Sequence, residues 1–250
     1  MPYGLYISAE GAQVQARRLD VIANNIANSD TVGFKRDLAV MQSRYSEAIE
    51  RGMASPGSSA SSDIGGGVQF HQTVTDFSPG PLRTTGIPTD VAMQGDGFFV
   101  VRKGQEQLLT RAGNFRIKPS GELVTQQGYQ VLAEDNSPIT ISPTAGHWDI
   151  DSSGNIVQNG TKQPLQIAKP ASLGDLSKVG ENLFRSLGNV RPVSQAERAV
   201  AGGCLEMSAV QPTTEMTSMI ETSRLLEANI NVMKSHNDML SNLISRILKA

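Results

Sequence analysis

The chain has few of the residues that most often carry chemistry. Among its 250 residues are one cysteine and three histidines, and only 5% of the residues are aromatic and 18% charged. The single cysteine, Cys204, excludes an intramolecular disulfide and follows two glycines, which favours the role of a small buried side chain. No histidine stands three or four residues from another or in a cysteine–histidine cluster. We therefore expect no metal site and no cofactor.

Charge of one sign and long apolar runs are also scarce. The formal net charge is −2, and basic residues form only the short pairs Arg17-Arg18 and Lys35-Arg36. Nucleic-acid binding is not expected, because neutralising phosphates requires clustered Lys and Arg. Membrane insertion is not expected either, since no run approaches the ~20 apolar residues of a membrane span. The first 20 residues lack the basic, apolar and cleavage regions of a signal peptide, so export would need another route.

Catalytic motifs are missing as well. The sequence contains no G-x-S-x-G, no P-loop and no G-x-G-x-x-G motif. Four aspartates could supply an acid–base pair, namely Asp90, Asp96, Asp149 and Asp151. Nothing in the sequence places two of them together, and aspartate beside Gly, Ser or Thr is typical of turns. We expect that the protein is not an enzyme.

Two apolar stripes, one near each end of the chain, are the most informative feature present. Their members advance by alternating steps of four and three, which keeps one seam of an underwound helix facing a partner. The first stripe is mostly alanine and the second is bulky, so the two are complementary in size. The first consists of Leu5, Ala9, Ala12, Ala16, Leu19, Ala23 and Ile26, and the second of Met219, Ser223, Leu226, Ile230, Met233, Asn237, Leu240, Ile244 and Ile247. The spacing predicts helices that pair with each other or with those of other copies.

The middle of the chain has a different pattern. Short apolar segments separated by turn residues, about 8–12 residues apart, predict an antiparallel β-domain between Val68 and Arg198. A helical pattern is present over 37–51, and the Gly- and Ser-rich stretch 52–67 is typical of a flexible linker. The expected fold class is mainly β with α-helical termini, in which the N- and C-terminal helices pair as a coiled coil and flank the β-domain.

The expected domain limits follow from these patterns. They are 1–34 for an N-terminal helix, 35–80 for a connecting helix and linker, 81–200 for an outer β-rich domain, 201–212 for a return linker, and 213–250 for a C-terminal helix. The last helix is longer than the first, so part of its seam would stay uncovered within one chain. That mismatch favours assembly with neighbouring chains, because isolated amphipathic helices are marginally stable in water.

Three strings of residues match a known family in the right order. The run Asn24–Lys35, NNIANSDTVGFK, resembles the N-terminal signature of bacterial flagellar rod and hook proteins. Asp90–Phe99 is similar to the start of the family's β-domain, and Thr110–Phe115 continues the match. Val210–Met216 resembles the C-terminal family segment, although Ala209 stands where the family pattern has asparagine.

The resemblance implies an axial structural protein. It implies export through the flagellar type III apparatus without a cleaved signal, and polymerisation with copies of the chain and neighbouring proximal and distal rod subunits in the periplasm. The two stripes would then be the assembly seam of an inner coiled-coil wall. The motif residues Asn24, Asn25, Asn28, Thr31, Gly33 and Phe34 would form a helix end and turn, contact other subunits, or do both.

Two questions stay open at this stage. The opening Tyr3–Ala9 and the length resemble the proximal-rod members of the family, whereas the stretch 52–67 could be an extended loop of a distal-rod member. A second class of function is a secreted, non-flagellar β-domain binding module with coiled-coil ends, which would form small closed oligomers. A third is an enzyme that cleaves peptidoglycan, for which no catalytic domain is visible.

Overall fold

The chain is mainly β, with one long helix toward each end. The computed structural model describes residues 3–45, 49, 51, 52, 55, 65–142 and 146–247. The expected fold class is confirmed. The fold divides into two units. The helical unit takes its described residues from 1–27, 36–76 and 210–250, and the β unit consists of residues 28–35 and 77–209.

Two antiparallel helices form most of the helical unit. Helix α1 spans Tyr3–Ala27 and helix α2 spans Pro212–Ile247. The position that a Gly4 Cβ would occupy lies 3.2 Å from His236 Nε2, and the corresponding Gly11 position lies 3.2 Å from Asn229 Nδ2. The two helices therefore run antiparallel. Because α1 starts opposite His236, the last ten residues of α2 extend roughly 15 Å beyond it.

A β-hairpin completes the helical unit. Strand β1 (Asp37–Ser43) pairs antiparallel with β2 (Val68–Thr75), with an irregularity between Val40 and Met41. The expectation of a helix starting at residue 37 is wrong, because cross-strand pairing overrides the helical spacing of this segment. The rest of the expected helix and the Gly- and Ser-rich linker lie largely outside the described residues.

Short strands build the β unit. They are β3 Leu82–Thr84, β4 Val91–Met93, β5 Phe98–Lys103, β6 Glu106–Thr110, β7 Arg116–Ile117, β8 Leu123–Val124, β9 Gln130–Val131, β10 Trp148–Ile150, β11 Asn155–Gln158, β12 Thr161–Pro164, β13 Ile167–Pro170, β14 Leu176–Gly180, β15 Leu183–Ser186, β16 Val190–Pro192, β17 Val200–Gly202 and β18 Cys204–Glu206. Two 3₁₀ turns, Leu173–Asp175 and Gln195–Glu197, lie among them.

One large antiparallel sheet organises the β unit. Its path is β14-β15-β6-β5-β9-β8-β7, and β13 joins β5 to β16. Strand β5 is buried on both faces, as its run of apolar residues requires. Phe99 and Val101 face the larger apolar cluster, whereas Phe98 and Val100 face a second cluster that contains Phe184. The alternation follows the two-residue period of a strand.

The ends of the β unit differ from the expected domain limits. Helix α1 ends at Ala27, and residues 28–35 belong to the β unit. The expectation of a linker over 201–212 is wrong for its first part, since β17 pairs with β4 and β18 pairs with β3. Those pairings satisfy backbone groups that an exposed linker would leave to water. Among the described residues, no helix is long and apolar enough to cross a membrane.

Candidate assembly surfaces

Two glycines of α1 lie against polar side chains of α2. Gly4 and Gly11 are seven residues apart on α1, and the residues that lie over them, His236 and Asn229, are seven apart on α2. Nearer the start of α2, Thr222 is fully buried and its hydroxyl donates to the Ser218 carbonyl at 2.6 Å. At these two positions the missing Cβ leaves space that the polar side chains of α2 occupy.

The predicted alanine stripe lies to one side of these two glycines. Ala12 is buried, Leu5, Ala9, Leu19 and Ile26 are half-buried, and Ala16 and Ala23 are exposed. Leu5 and Ala12 follow Gly4 and Gly11 by one residue, which is roughly a quarter of a turn. Hydrophobic periodicity overlooked Gly4 and Gly11 because glycine adds nothing to an apolar stripe. Their seven-residue spacing is the signal that could have revealed them.

The bulky stripe on α2 continues past the end of α1. Met219, Leu226, Ile230 and Met233 are half-buried in the paired part of the helix. Leu240, Ile244 and Ile247 lie on the extension of that face and are 38%, 56% and 67% exposed. We call these last three residues the α2 extension. A contact of either stripe with another subunit remains a prediction.

A groove lies at the other end of the helical unit, between the end of α1, strand β1 and the start of α2. It has a volume of about 520 Å³, and its apolar lining consists of Val21, Ile22, Leu38, Ala39 and Met41. We call it the α1–β1 groove. Arg36 also lines it and donates through Nη1 to Glu215 Oε1 at 3.2 Å. Arg36 Nε is buried without a hydrogen-bond partner in the described part of the chain.

Within the helical unit, the signature motif closes the end of α1. The Asn25 side chain is buried, and its Nδ2 donates to the Asp37 carbonyl at 2.8 Å. The Asp37 amide donates back to Asn25 Oδ1 at 2.9 Å. This reciprocal pair fixes the start of β1 against α1. Asn24 is exposed on the same helical turn.

The rest of the motif forms a turn in the β unit. Thr31 donates from its amide to the Asn28 carbonyl at 3.1 Å and from its hydroxyl to Asn28 Oδ1 at 3.2 Å. Gly33 has a φ of +66°. A Cβ there would lie 2.5 Å from the Arg111 carbonyl carbon, so both the backbone angle and the lack of space require glycine.

Phe34 and Lys35 anchor this turn. The Phe34 ring is buried, and the Lys178 ammonium lies 4.5 Å from its centroid. Lys35 is 1% exposed, and its Nζ donates to Glu206 Oε1 at 2.6 Å and to the Ser78 carbonyl at 2.8 Å. The sequence analysis identified Phe34 as a site residue but not Lys35.

Glu206 is the centre of a buried ion cluster. Arg111 Nη1 donates to Glu206 Oε2 at 3.3 Å, and the Gly80 amide donates to Oε1 at 3.1 Å. Burial lowers the pKa of Arg111, and the neighbouring Glu206 carboxylate opposes that shift. No local pattern revealed Arg111 or Glu206, because their pairing joins residues far apart in sequence. We call Lys35, Arg111 and Glu206 the ion cluster.

The aspartates considered for catalysis have structural partners. Asp96 is paired with Lys169 at 2.6 Å, and this hydrogen bond lowers its pKa. Asp151 accepts hydrogen bonds from the Ser153 and Asn155 amides in one turn. Asp149 accepts a hydrogen bond from the Ile150 amide. Asp90 is buried, and its backbone forms an isolated β-bridge with Asn114. Within the part of the chain that the structure describes, no group of three His, Cys, Asp or Glu side chains could hold a metal.

Comparisons with known proteins assign the family. Residues 5–35 match the family described as flagella basal body rod protein, 92–158 the D1 domain of flagellar hook protein FlgE/F/G, and 201–246 the C-terminal region of flagellar basal body rod FlgEFG protein. The flagellar basal-body rod protein FlgF of Caulobacter vibrioides is 32% identical over 100% of this chain and 99% of its own length. The chain belongs to the flagellar basal-body rod family.

FlgG proteins of the family are similarly close. The FlgG of Bacillus subtilis is 33% identical over 96% of this chain and 97% of its own length, and that of Borreliella burgdorferi is 30% identical over 96% and 97%. Both carry the name flagellar basal-body rod protein, as the FlgF relative does. In this rod-family chain the ion cluster joins all three matched segments, since Lys35, Arg111 and Glu206 each come from a different one.

Proposed function

We propose that this member of the rod family polymerises through its terminal helices into the proximal part of the flagellar rod. The observation that carries the proposal is the α2 extension, which places three large aliphatic side chains in water in line with an existing helix seam. Fully burying one such side chain contributes about 1.5–3 kcal/mol. Contacts repeated along a polymer would bury this surface in every subunit.

The partners in this proposal are copies of the chain and other rod subunits. Export would use the flagellar type III apparatus without a cleaved signal, and the assembled subunit would lie in the periplasm. Membership of the rod family argues against the non-flagellar binding module. The peptidoglycan-cleaving alternative has no support from the aspartates, which are engaged in turns, an ion pair and a buried bridge.

Assembly at the proximal end is supported by the alignment with a FlgF protein over 100% of this chain, since FlgF is the proximal-rod member of the family and FlgG the distal-rod member. The distal rod is the second candidate, because FlgG proteins align at similar identity. Gold labelling of a tagged chain in isolated basal bodies distinguishes the two. Label at the inner-membrane end of the rod is expected, whereas label at the hook end would replace the proximal assignment with the distal one.

A sedimentation assay tests polymerisation through the helices. A full-length chain with Leu240→Gln and Ile244→Gln should form at least tenfold less pelletable polymer than the parent. The matched control carries Asn242→Gln and Ser245→Gln, which change exposed polar residues on the opposite side of the same helical segment. Equal loss in both variants, or a parent chain that forms no polymer, would contradict the proposal.

A further inference from the structure

We infer that the α2 extension of one subunit docks in the α1–β1 groove of the next copy. This contact rests on the proposed function and specifies the two surfaces that meet. The occupant of the groove is a second copy of this chain, which presents Leu240, Ile244 and Ile247. The argument rests on the positions of the surfaces, their chemistry and an unpaired donor.

The two surfaces lie at opposite ends of the helical unit. The extension begins beyond the contact of Gly4 with His236, where α1 starts. The groove lies where α1 ends, among Ile22, Asn25 and the first turns of α2. One copy therefore presents the extension at one end and the groove at the other. Contacts between two different surfaces are heterologous and generate open helical filaments unless the rotation closes a ring.

The extension continues an interface that already exists within one subunit. Met219, Leu226 and Met233 follow one another at steps of seven, and Leu240 and Ile247 continue the same series. The first three are half-buried in the helical unit, and the last two are exposed. A face that packs beside α1 in its own subunit would, farther along, pack beside the end of α1 in the next subunit.

The groove fits aliphatic side chains in size and chemistry. Its volume of about 520 Å³ lies within the roughly 300–1,000 Å³ of sites that enclose small ligands. Its wall combines Val21 and Ile22 of α1 with Leu38 and Met41 of β1. Leu38 is 38% exposed in the single chain, so an incoming side chain would cover it.

An unpaired donor in the groove indicates that an acceptor is missing. Arg36 Nε is buried without a hydrogen-bond partner among the described residues, although Nη1 of the same side chain reaches Glu215. A buried donor that stays without a partner destabilises the chain that contains it. Ser241 follows Leu240 in the same segment of α2, and its hydroxyl oxygen is a suitable acceptor.

Cross-linking between two full-length chains tests the contact. Both chains carry Cys204→Ser. One also carries Ile244→Cys, and the other carries Leu38→Cys with an affinity tag. After mixing and treatment with a short bismaleimide, we expect the tagged heterodimer in at least tenfold greater yield than in the control mixture. The control replaces Ile244→Cys with Asn242→Cys, which places the thiol on the opposite face of the same segment.

Each outcome decides the inference. A heterodimer specific to Ile244→Cys supports it, and equal yields or no heterodimer overturn it. Sedimentation of the parent chain separates this result from the proposed function. Polymers without the specific cross-link would show that the helices assemble through another surface or with a different rod subunit, whereas absence of polymers would count against the proposed function as well.

Discussion

At the scale of single residues, the ion cluster explains part of the family signature. Lys35 and Glu206 are 171 positions apart, and both side chains are 1% exposed. A buried carboxylate is tolerated only when it is paired, and Glu206 is paired with both Lys35 and Arg111. The lysine that ends the NNIANSDTVGFK motif therefore stabilises the β unit by holding the motif turn to β18.

Replacing Lys35 should destabilise the β unit strongly. We expect Lys35→Met to lower its free energy of unfolding by about 1.5–3 kcal/mol, because Glu206 Oε1 loses the 2.6 Å hydrogen bond from the buried ammonium and keeps, among the described residues, only the Gly80 amide. The control is Lys169→Met, which removes the exposed pair with Asp96 and should cost at most about 1 kcal/mol. Urea unfolding followed by the fluorescence of Trp148, the only tryptophan, measures both. Similar losses in the two variants would contradict a special role for the buried pair.

Replacing Gly33 and Gly104 with alanine distinguishes the cost of backbone strain from the cost of steric crowding. Gly33 has a φ of +66° and Gly104 a φ of +64°, but only Gly33 has neighbours in the space of a Cβ. Gly104→Ala should cost about 1–2 kcal/mol from its backbone angle. Gly33→Ala should lower the free energy of unfolding by more than this in the same urea assay, because the new Cβ would clash with the Arg111 backbone. Equal losses of stability in the two variants would show that the turn at Gly33 can move to accommodate the Cβ.

Asp151 should contribute an acid-sensitive part of the stability. Burial raises its pKa, but hydrogen bonds from Asn155 and Ser153 outweigh burial, and the net shift is downward. A carboxyl whose folded-state pKa is depressed stabilises above its unfolded pKa, about 3.9, and loses this contribution as pH falls through the folded value. Asp151→Asn should therefore be less stable than the parent at pH 7, and the difference should shrink below about pH 4. A difference that stays constant down to pH 2.5 would exclude this role.

At the scale of elements, the sequence predicted most of the fold from periodicity. Steps of four and three predicted both terminal helices, and the short apolar run Phe98–Val101 between turn residues predicted the central strand. Periodicity gave a wrong prediction for Asp37–Ser43. Leu38 and Met41 have the spacing of one helical turn, and the pairing with β2 depends on residues that are distant in sequence. The face that α1 presents to α2 was missed for a related reason, since Gly4 and Gly11 become informative only once His236 and Asn229 lie over them.

Filling the space over Gly11 should separate the two helices. A leucine at this position would collide with Asn229, whose Nδ2 lies 3.2 Å from the Cβ site. We expect Gly11→Leu to accelerate hydrogen exchange of the α1 amides at least tenfold, because α1 depends on packing for its stability. Gln13→Leu adds a leucine on the exposed side of the same helix and should leave exchange unchanged. Equal exchange in the two variants would mean that the contact at Gly11 does not hold α1.

At the scale of the whole molecule, the two units have different sources of stability. The β unit has two buried apolar clusters and the ion cluster, all built from its own residues. The helical unit leaves large side chains of α2 in water. The sequence predicted that the longer helix would have an uncovered part, but which residues remain uncovered depends on the register of α1 and α2, which the glycine contacts reveal.

The most direct test of assembly through the helices is trypsin digestion before and after polymerisation, with the fragments identified by mass. In the monomer we expect rapid cleavage at Arg246, in the exposed end of α2, while a fragment that contains residues 77–209 survives. In the polymer, cleavage at Arg246 should slow at least tenfold, because a neighbouring subunit covers the α2 extension. Equal cleavage at Arg246 in monomer and polymer would show that this surface stays exposed, and would contradict assembly through the terminal helices as proposed.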